Sequence, residues 1–272
     1  MKFRICHQFQ LRELARVRHR LIEKQAICKV QIVRNIDTIW PEYGGVIKRV
    51  FGAASLAILK KYNVPSKLRR ESFERFYELV KKKSRSKISR SKAEEIYANA
   101  GNVLTIPELD SVIAIKIKTL ITQLELYDEQ IQSVEGKIDQ MMKLTDTKIM
   151  SIPGIADILG PTFLGEIGNV ERFSNVKNLV AFAGLDPVVN QSGRFENKSG
   201  KISKRGSLLL RHALFLAANS AIQNDENLKR FYAKKRSQGK HHFSALNAVA
   251  AKLLRIVYWV LKNNKEYQIQ SN

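Results

Sequence analysis

Cysteine, acidic side chains and long apolar runs are all scarce in this chain, and each scarcity excludes something. Cys6 and Cys28 are the only cysteines in 272 residues. They are too few for a disulfide framework and have no metal-ligand spacing, so both read as small buried apolar side chains in a reducing cytoplasm. No apolar run approaches the ~18 residues of a membrane-spanning helix, so no membrane partner is expected. The run at 256–261 reads as part of an amphipathic helix. The basic start Met1-Lys-Phe-Arg4 is followed by His7, Gln8 and Gln10, which interrupt any secretory apolar stretch. Carboxylates number 25 against 47 Lys and Arg. Asp157, Glu166, Glu171 and Asp186 are scattered among predicted helix ends and turns, so the chain offers no metal ligand set of its own. Spacing shows no Ser/His/Asp arrangement either. His212 lies in an apolar helix and reads as a core or hydrogen-bonding residue, and His241-His242 as an exposed or phosphate-contacting pair in a loop.

Positive charge is what the chain has in excess. The formal net charge is +22, which makes a polyanion the expected partner. The excess is uneven: residues 1–92 carry net +17, residues 93–150 net −5 and residues 151–272 net +10. Two basic arms flank an acidic, helical middle. The competing reading, a well-solvated surface, would mix the signs more evenly.

The first half reads as helices. Leu11, Leu14, Val17 and Leu21 recur at helical spacing, and this helix should stop at Trp40-Pro41, because proline disfavours helical geometry in the residue before it. A second helix is predicted from about 46 to 62, ending near Pro65. Short helices over 66–98 are joined by a serine-rich basic stretch, 81–92, that reads as a loop or a phosphate-contacting arm; Lys81, Lys82, Lys83 and Arg85 are its candidate contacts. A simple mobile linker is the alternative. In the middle helix Ile113, Ile117, Leu120, Leu124, Tyr127, Ile131, Val134, Ile138 and Met141 are spaced 4, 3, 4, 3, 4, 3, 4 and 3 apart. Such a seam keeps one apolar stripe facing a partner helix, either the Leu14 helix of the same chain or a second protomer. Pro107 suits this helix's first turn.

The second half reads as a compact helical domain with one irregular loop. Pro153-Gly154 has the form of a helix-hairpin-helix turn that grips a nucleic-acid backbone through free N–H groups. Pro-Gly also marks ordinary turns. Ser174 is placed to cap the next helix, which should end at Gly184. Helices follow at about 207–223, 225–237 and 243–263, packed through alanines such as Ala213, Ala217, Ala248 and Ala251. Between them lies a loop with Ser192 ahead of Arg194, Lys198, Lys201, Lys204 and Arg205. A serine before glycine is most often a turn residue, and on residue pattern alone catalysis is the minority reading.

Several motifs shift that balance. Ser151-Ile-Pro-Gly-Ile-Ala156, Gly165-Glu-Ile-Gly168, Leu179-Val-Ala-Phe-Ala-Gly-Leu-Asp-Pro187, Gln191-Ser-Gly193, Ser203-Lys-Arg-Gly206 and Leu210-Arg-His-Ala-Leu214 occur in order. Over about residues 148–262 the chain resembles the DEDD insertion-sequence transposases related to the Piv invertase. The resemblance implies DNA strand exchange with Ser192 as nucleophile. It implies Mg²⁺ on a RuvC-like acidic domain, and an element-encoded structured guide RNA. Pro153, Gly154, Arg211 and the cations of the serine loop would contact nucleic acid. Nothing in residues 1–10 can encode the acidic domain, so the chain is expected to be N-terminally truncated and weakly active or inactive alone.

The expected class is therefore mainly α: a basic helical region (1–105), a coiled-coil helix (106–147) and a C-terminal transposase domain (148–265). Expected partners are DNA, guide RNA and a second copy joined through the coiled coil. The alternative function is a DNA- or RNA-binding remnant that does no chemistry and dimerises or competes with an intact enzyme.

Overall fold

The computed structural model describes residues 2–85, 87–104, 106–186, 190–192, 195–197 and 202–268; for 2–5, 190–192 and 195–197 it describes the backbone. The described residues are mainly α-helical, with one two-stranded hairpin. They divide into two compact units, 1–18 with 133–272, and 19–132. The units do not follow one another along the chain as regions bounded at 105 and 147 would. Both boundaries fall inside long helices, α1 (Lys2–Ile39) and α7 (Pro107–Lys143), so each helix contributes residues to both units.

The unit at 19–132 adds α2 (Tyr43–Val46), α3 (Ala53–Lys61), α4 (Pro65–Arg69), α5 (Phe73–Ser84) and α6 (Arg90–Asn102). Its helix starts follow local chemistry. Ser72 and Ser89 accept from the N–H groups of Arg75 and Lys92, and Pro65 occupies the first turn of α4 behind an extended Val64. The single helix expected over 46–62 is broken. Ile47 is extended and buried, Gly52 is extended as the cap of α3, and residues 47–52 leave the helical path. The basic stretch is more helical than expected, because Lys81, Lys82 and Lys83 form the last turn of α5, where cations complement the helix dipole. Arg85 ends the helix in a left-handed conformation (φ 53°).

The heptad seam is buried within the chain. In this unit Ile113, Ile117 and Leu124 join Cys28, Ile32 and Ile36 of α1 in one core, and Gln25 of α1 donates to Asp128 of α7 at 2.5 Å. The Cys28 thiol donates to the Leu120 carbonyl at 3.1 Å, and burial pushes its pKa up. Cys6, expected to be buried, is exposed.

The other unit takes the start of α1 and the end of α7, then α8 (Leu159–Ile167), α9 (Val176–Phe182), β1 (Asn190–Ser192), β2 (Phe195–Asn197), α10 (Leu208–Asn224), α11 (Glu226–Ser237) and α12 (His242–Asn263). Leu11 of α1 and Ile138 and Met141 of α7 enter its core. Alanines at 213, 217, 218, 221, 245 and 250 are fully buried and allow α10 and α12 to pack closely. Each large apolar side chain buried there contributes about 1.5–3 kcal/mol before entropy is counted. By length and mean hydropathy (1.4) α12 could cross a membrane, yet eight of its residues, Leu253 and Val257 among them, are buried in this core. Asn175, not Ser174, caps α9: its side chain accepts from Asn178 N, while the Ser174 hydroxyl takes the Asn178 side-chain amide.

Candidate nucleic-acid interface

The serine loop is closed at its base by backbone contacts. Phe182 O accepts from Ser207 N at 2.8 Å, Gly184 O from Lys204 N at 3.1 Å, and Asp186 O from Ser203 N at 2.8 Å. The Ser203 hydroxyl also donates to Asp186 Oδ1 at 2.5 Å. Two glycines make this closure possible. A Cβ on Gly206 would lie 1.8 Å from the Phe182 carbonyl oxygen, and Gly184 has φ +68° with Gly206 N against its open side. No side chain fits between the two segments. Between the closed ends, β1 and β2 pair antiparallel, with Ser192 last in β1 and opposite Phe195. Lys204 (φ 56°) and Arg205 are exposed at the base, and the Arg211 guanidinium donates to Ala183 O at 3.2 Å. Arg194, Lys198 and Lys201 lie outside the described residues.

Against Ser207 at the loop base sits a carboxylate whose importance was not legible in the sequence. Glu166 has a fully buried side chain in α8, where residues 160–167 are all buried. It accepts from Arg16 Nε at 2.7 Å and from the Ser207 hydroxyl at 2.7 Å, with Arg12 Nε 3.8 Å away. Burial pushes its pKa up, but the Arg16 and Ser207 hydrogen bonds and the charges of Arg16 and Arg12 outweigh burial and hold it below the usual carboxylate range. Arg172 donates to the Glu166 backbone carbonyl at 3.3 Å and stacks on the rings of Phe173 and Phe182, each 4.6 Å away. Burial, then the nearby Arg12 charge, lowers its pKa. Two arginines thus face one carboxylate and a third holds the backbone carbonyl of the same residue, an excess of positive charge beside Ser207 at the loop base. A lone glutamate in an otherwise apolar, all-round buried helix was the available signal, since such a charge needs partners.

Other expected contacts are placed less favourably. Gly154 has φ +86°, but a Cβ there would meet Ala217 O at 2.3 Å and Ala221 N at 2.8 Å. Close packing on α10 accounts for this glycine, and the element before it is one 3-10 turn, Ile149–Ser151, rather than a full helix. Pro153 is half-buried beside it. Lys81, Lys82, Lys83 and Arg85 are exposed at the end of α5 in the unit at 19–132. His212, read as a core or hydrogen-bonding residue, is exposed on α10. His241 caps α12, and His242 Nδ1 lies 2.8 Å from the Tyr232 hydroxyl. Among the described residues no group of three or more His, Cys, Asp or Glu side chains could hold a metal ion.

The helical unit that carries this loop includes the stretch that is similar to proteins of insertion elements. Residues 146–233 match the family described as Transposase IS116/IS110/IS902. It is similar to an uncharacterized 42 kDa protein of insertion element IS900 from Mycobacterium paratuberculosis, with 26% identity over 79% of this chain and 54% of the relative. It is also similar to an uncharacterized 43.6 kDa protein of insertion element IS110 from Streptomyces coelicolor, with 23% identity over 78% of this chain and 52% of the relative. A pilin gene-inverting protein of Moraxella bovis is 30% identical over 52% of this chain and 46% of its own length. The chain spans about half the length of these relatives.

Proposed function

We propose that the unit holding α8–α12 acts on DNA in transposition and that Ser192 is its nucleophile. The observation that carries this reading is the loop closure. Gly184 and Gly206 pinch the chain so that Ser192 lies in a short hairpin above a base bearing Lys204, Arg205 and Arg211. In the proposed step the serine oxygen attacks a DNA phosphorus. The Oγ–P bond forms as a P–O ester bond breaks, and the serine proton ends on the departing oxygen. A neutral hydroxyl is a weak nucleophile and needs activation. Lys204 and Arg205, with Arg194, Lys198 and Lys201 of the same loop, would offset charge developing on the phosphate.

The Mg²⁺ that the resemblance implies does not fit the described carboxylates, since Glu166 is engaged by arginines and no other cluster stands among the described residues. The acidic ligands would come from a separate RuvC-like domain. The partners proposed are DNA, a structured guide RNA and a second copy of the chain. Because the heptad seam is buried in the chain's own cores, a second copy would use other surfaces of α7, where Val112 and Ile115 are exposed.

The test supplies a RuvC-like domain from an intact relative, the guide RNA and an end of the element's own DNA. A DNA–protein adduct should form and be lost in Ser192→Ala with DNA binding nearly intact, while Ser199→Ala retains it. An adduct surviving Ser192→Ala overturns the assignment. DNA binding with no adduct in any arm would favour the alternative, a nucleic-acid-binding chain that does no chemistry.

A further inference from the structure

A groove of about 1460 Å³ runs between α11, α12 and the segment 265–268, apart from the residues assigned above. Its long wall is one face of α12, because Ala248, Lys252, Arg255 and Trp259 are spaced 4, 3 and 4 apart. Phe231 of α11 faces it, and Lys252 Nζ lies 4.7 Å from the Phe231 ring centre. The far side is held by Tyr267, whose hydroxyl donates to buried Asp225 at 2.7 Å and whose N–H donates to the Ser151 hydroxyl at 2.8 Å. Trp259 is 47% exposed, although neighbouring Val257 and Val260 are fully buried.

The charge around this groove is one-sided. Lys148, Lys252, Arg255 and Lys265 line it against one carboxylate, Glu266, which already pairs with Lys148 at 3.5 Å. A purely apolar partner would leave these cations without counter-charge. The groove also exceeds the ~300–1,000 Å³ of ordinary small-molecule pockets. Cations beside exposed aromatic faces match the chemistry of a strand whose phosphates need neutralising and whose bases are free to stack.

We infer that this groove binds a single-stranded segment of nucleic acid, with a base stacked on Trp259 and the backbone held by Lys252, Arg255 and Lys265. The small side chains of Ala248 and Ala251 leave room for the strand where larger residues would fill the floor. The inference rests on the nucleic-acid reading above but not on Ser192.

The test uses the full chain. Trp40, the other tryptophan, is 1% exposed, so quenching of the exposed tryptophan fluorescence reports Trp259. Oligothymidylate, oligouridylate and an abasic strand of equal length and charge are titrated in turn. Base-bearing strands should quench Trp259 and bind roughly tenfold tighter than the abasic strand. Read by the anisotropy of a label on each strand, Trp259→Ala should erase that difference with its melting profile intact, and Trp259→Phe should keep most of it. Preference for either sugar supports the groove and identifies its occupant as RNA or DNA. Equal affinity for abasic and base-bearing strands, or an undiminished preference in Trp259→Ala, overturns the inference. If duplex DNA still binds in that case, the proposed function stands; a chain that binds no nucleic acid at low salt would remove both.

Discussion

The Ser207 hydroxyl, which caps α10, donates to the buried carboxylate of Glu166 in α8 at 2.7 Å. The same carboxylate holds Arg16 of α1, so one buried charge joins three elements separated widely in sequence. Ser207 also closes the serine loop through its N–H to Phe182 O. The loop base is therefore only as rigid as the grip on Glu166.

Glu166→Gln keeps the shape and removes the charge. At neutral pH it should destabilise the fold by about 3 kcal/mol, the low end for a broken buried pair because Arg12 and Arg16 stay partly exposed. The depressed pKa gives the sign with acid. The carboxylate stabilises the fold above its unfolded pKa, and that contribution is lost as pH falls through the lower folded value. Denaturant titrations of both proteins should converge as the pH drops below the ordinary carboxylate range; a constant gap would refute the assignment.

Two glycines should respond oppositely to alanine. Gly206→Ala places a Cβ 1.8 Å from the Phe182 carbonyl and must displace the loop base, at a cost of several kcal/mol. Gly136→Ala, on the open surface of α7, meets nothing within 4 Å and should stabilise by about 0.5–1 kcal/mol. Thermal melts of the pair check both signs.

Leu124 is 1% exposed within the core of the unit at 19–132. Leu124→Lys should cost several kcal/mol, since a buried ammonium has no partner there. Lost helicity or a lowered melting temperature would be seen by circular dichroism. An unchanged melt would show that the seam tolerates charge and is not a packed interface.

The exposed end of α5 supplies the fourth test. Neutralising Lys81, Lys82, Lys83, Arg85 and Lys87 together should weaken nucleic-acid binding across sequences and flatten the dependence of log K on log[salt]. An unchanged salt slope would mean that these cations face only water.

Local chemistry was largely legible in the sequence. The stop at Trp40-Pro41, the proline start of α7 and the starts at Ser207 and Asp225 all follow from residues within a turn of the event. Longer stretches misled where propensity was even: Lys81–Lys83 looked like loop because charge and serine surround them, yet α5 continues through them on the apolar face set by Phe76 and Val80. Glu166 could not be interpreted locally, because Arg16 lies 150 residues away. The reading of Gly154 as a phosphate cradle failed to foresee α10 lying against it. Ser192 drew its chemical role from resemblance, since a serine ahead of glycine carries no such signal itself.

The discontinuity of the unit built on α8–α12 has a consequence during synthesis. Its first eighteen residues leave the ribosome long before α8 and α10 exist, so Leu11 and Arg16 must wait without a core or a counter-charge. Pairing inside residues 19–132, such as Gln25 with Asp128, can form first and bring the waiting segment close to the chain that follows. Closing the loop afterwards then carries a smaller entropic penalty than threading a free chain of roughly a hundred residues. A nascent chain stalled before α8 would leave Leu11 of α1 uncovered.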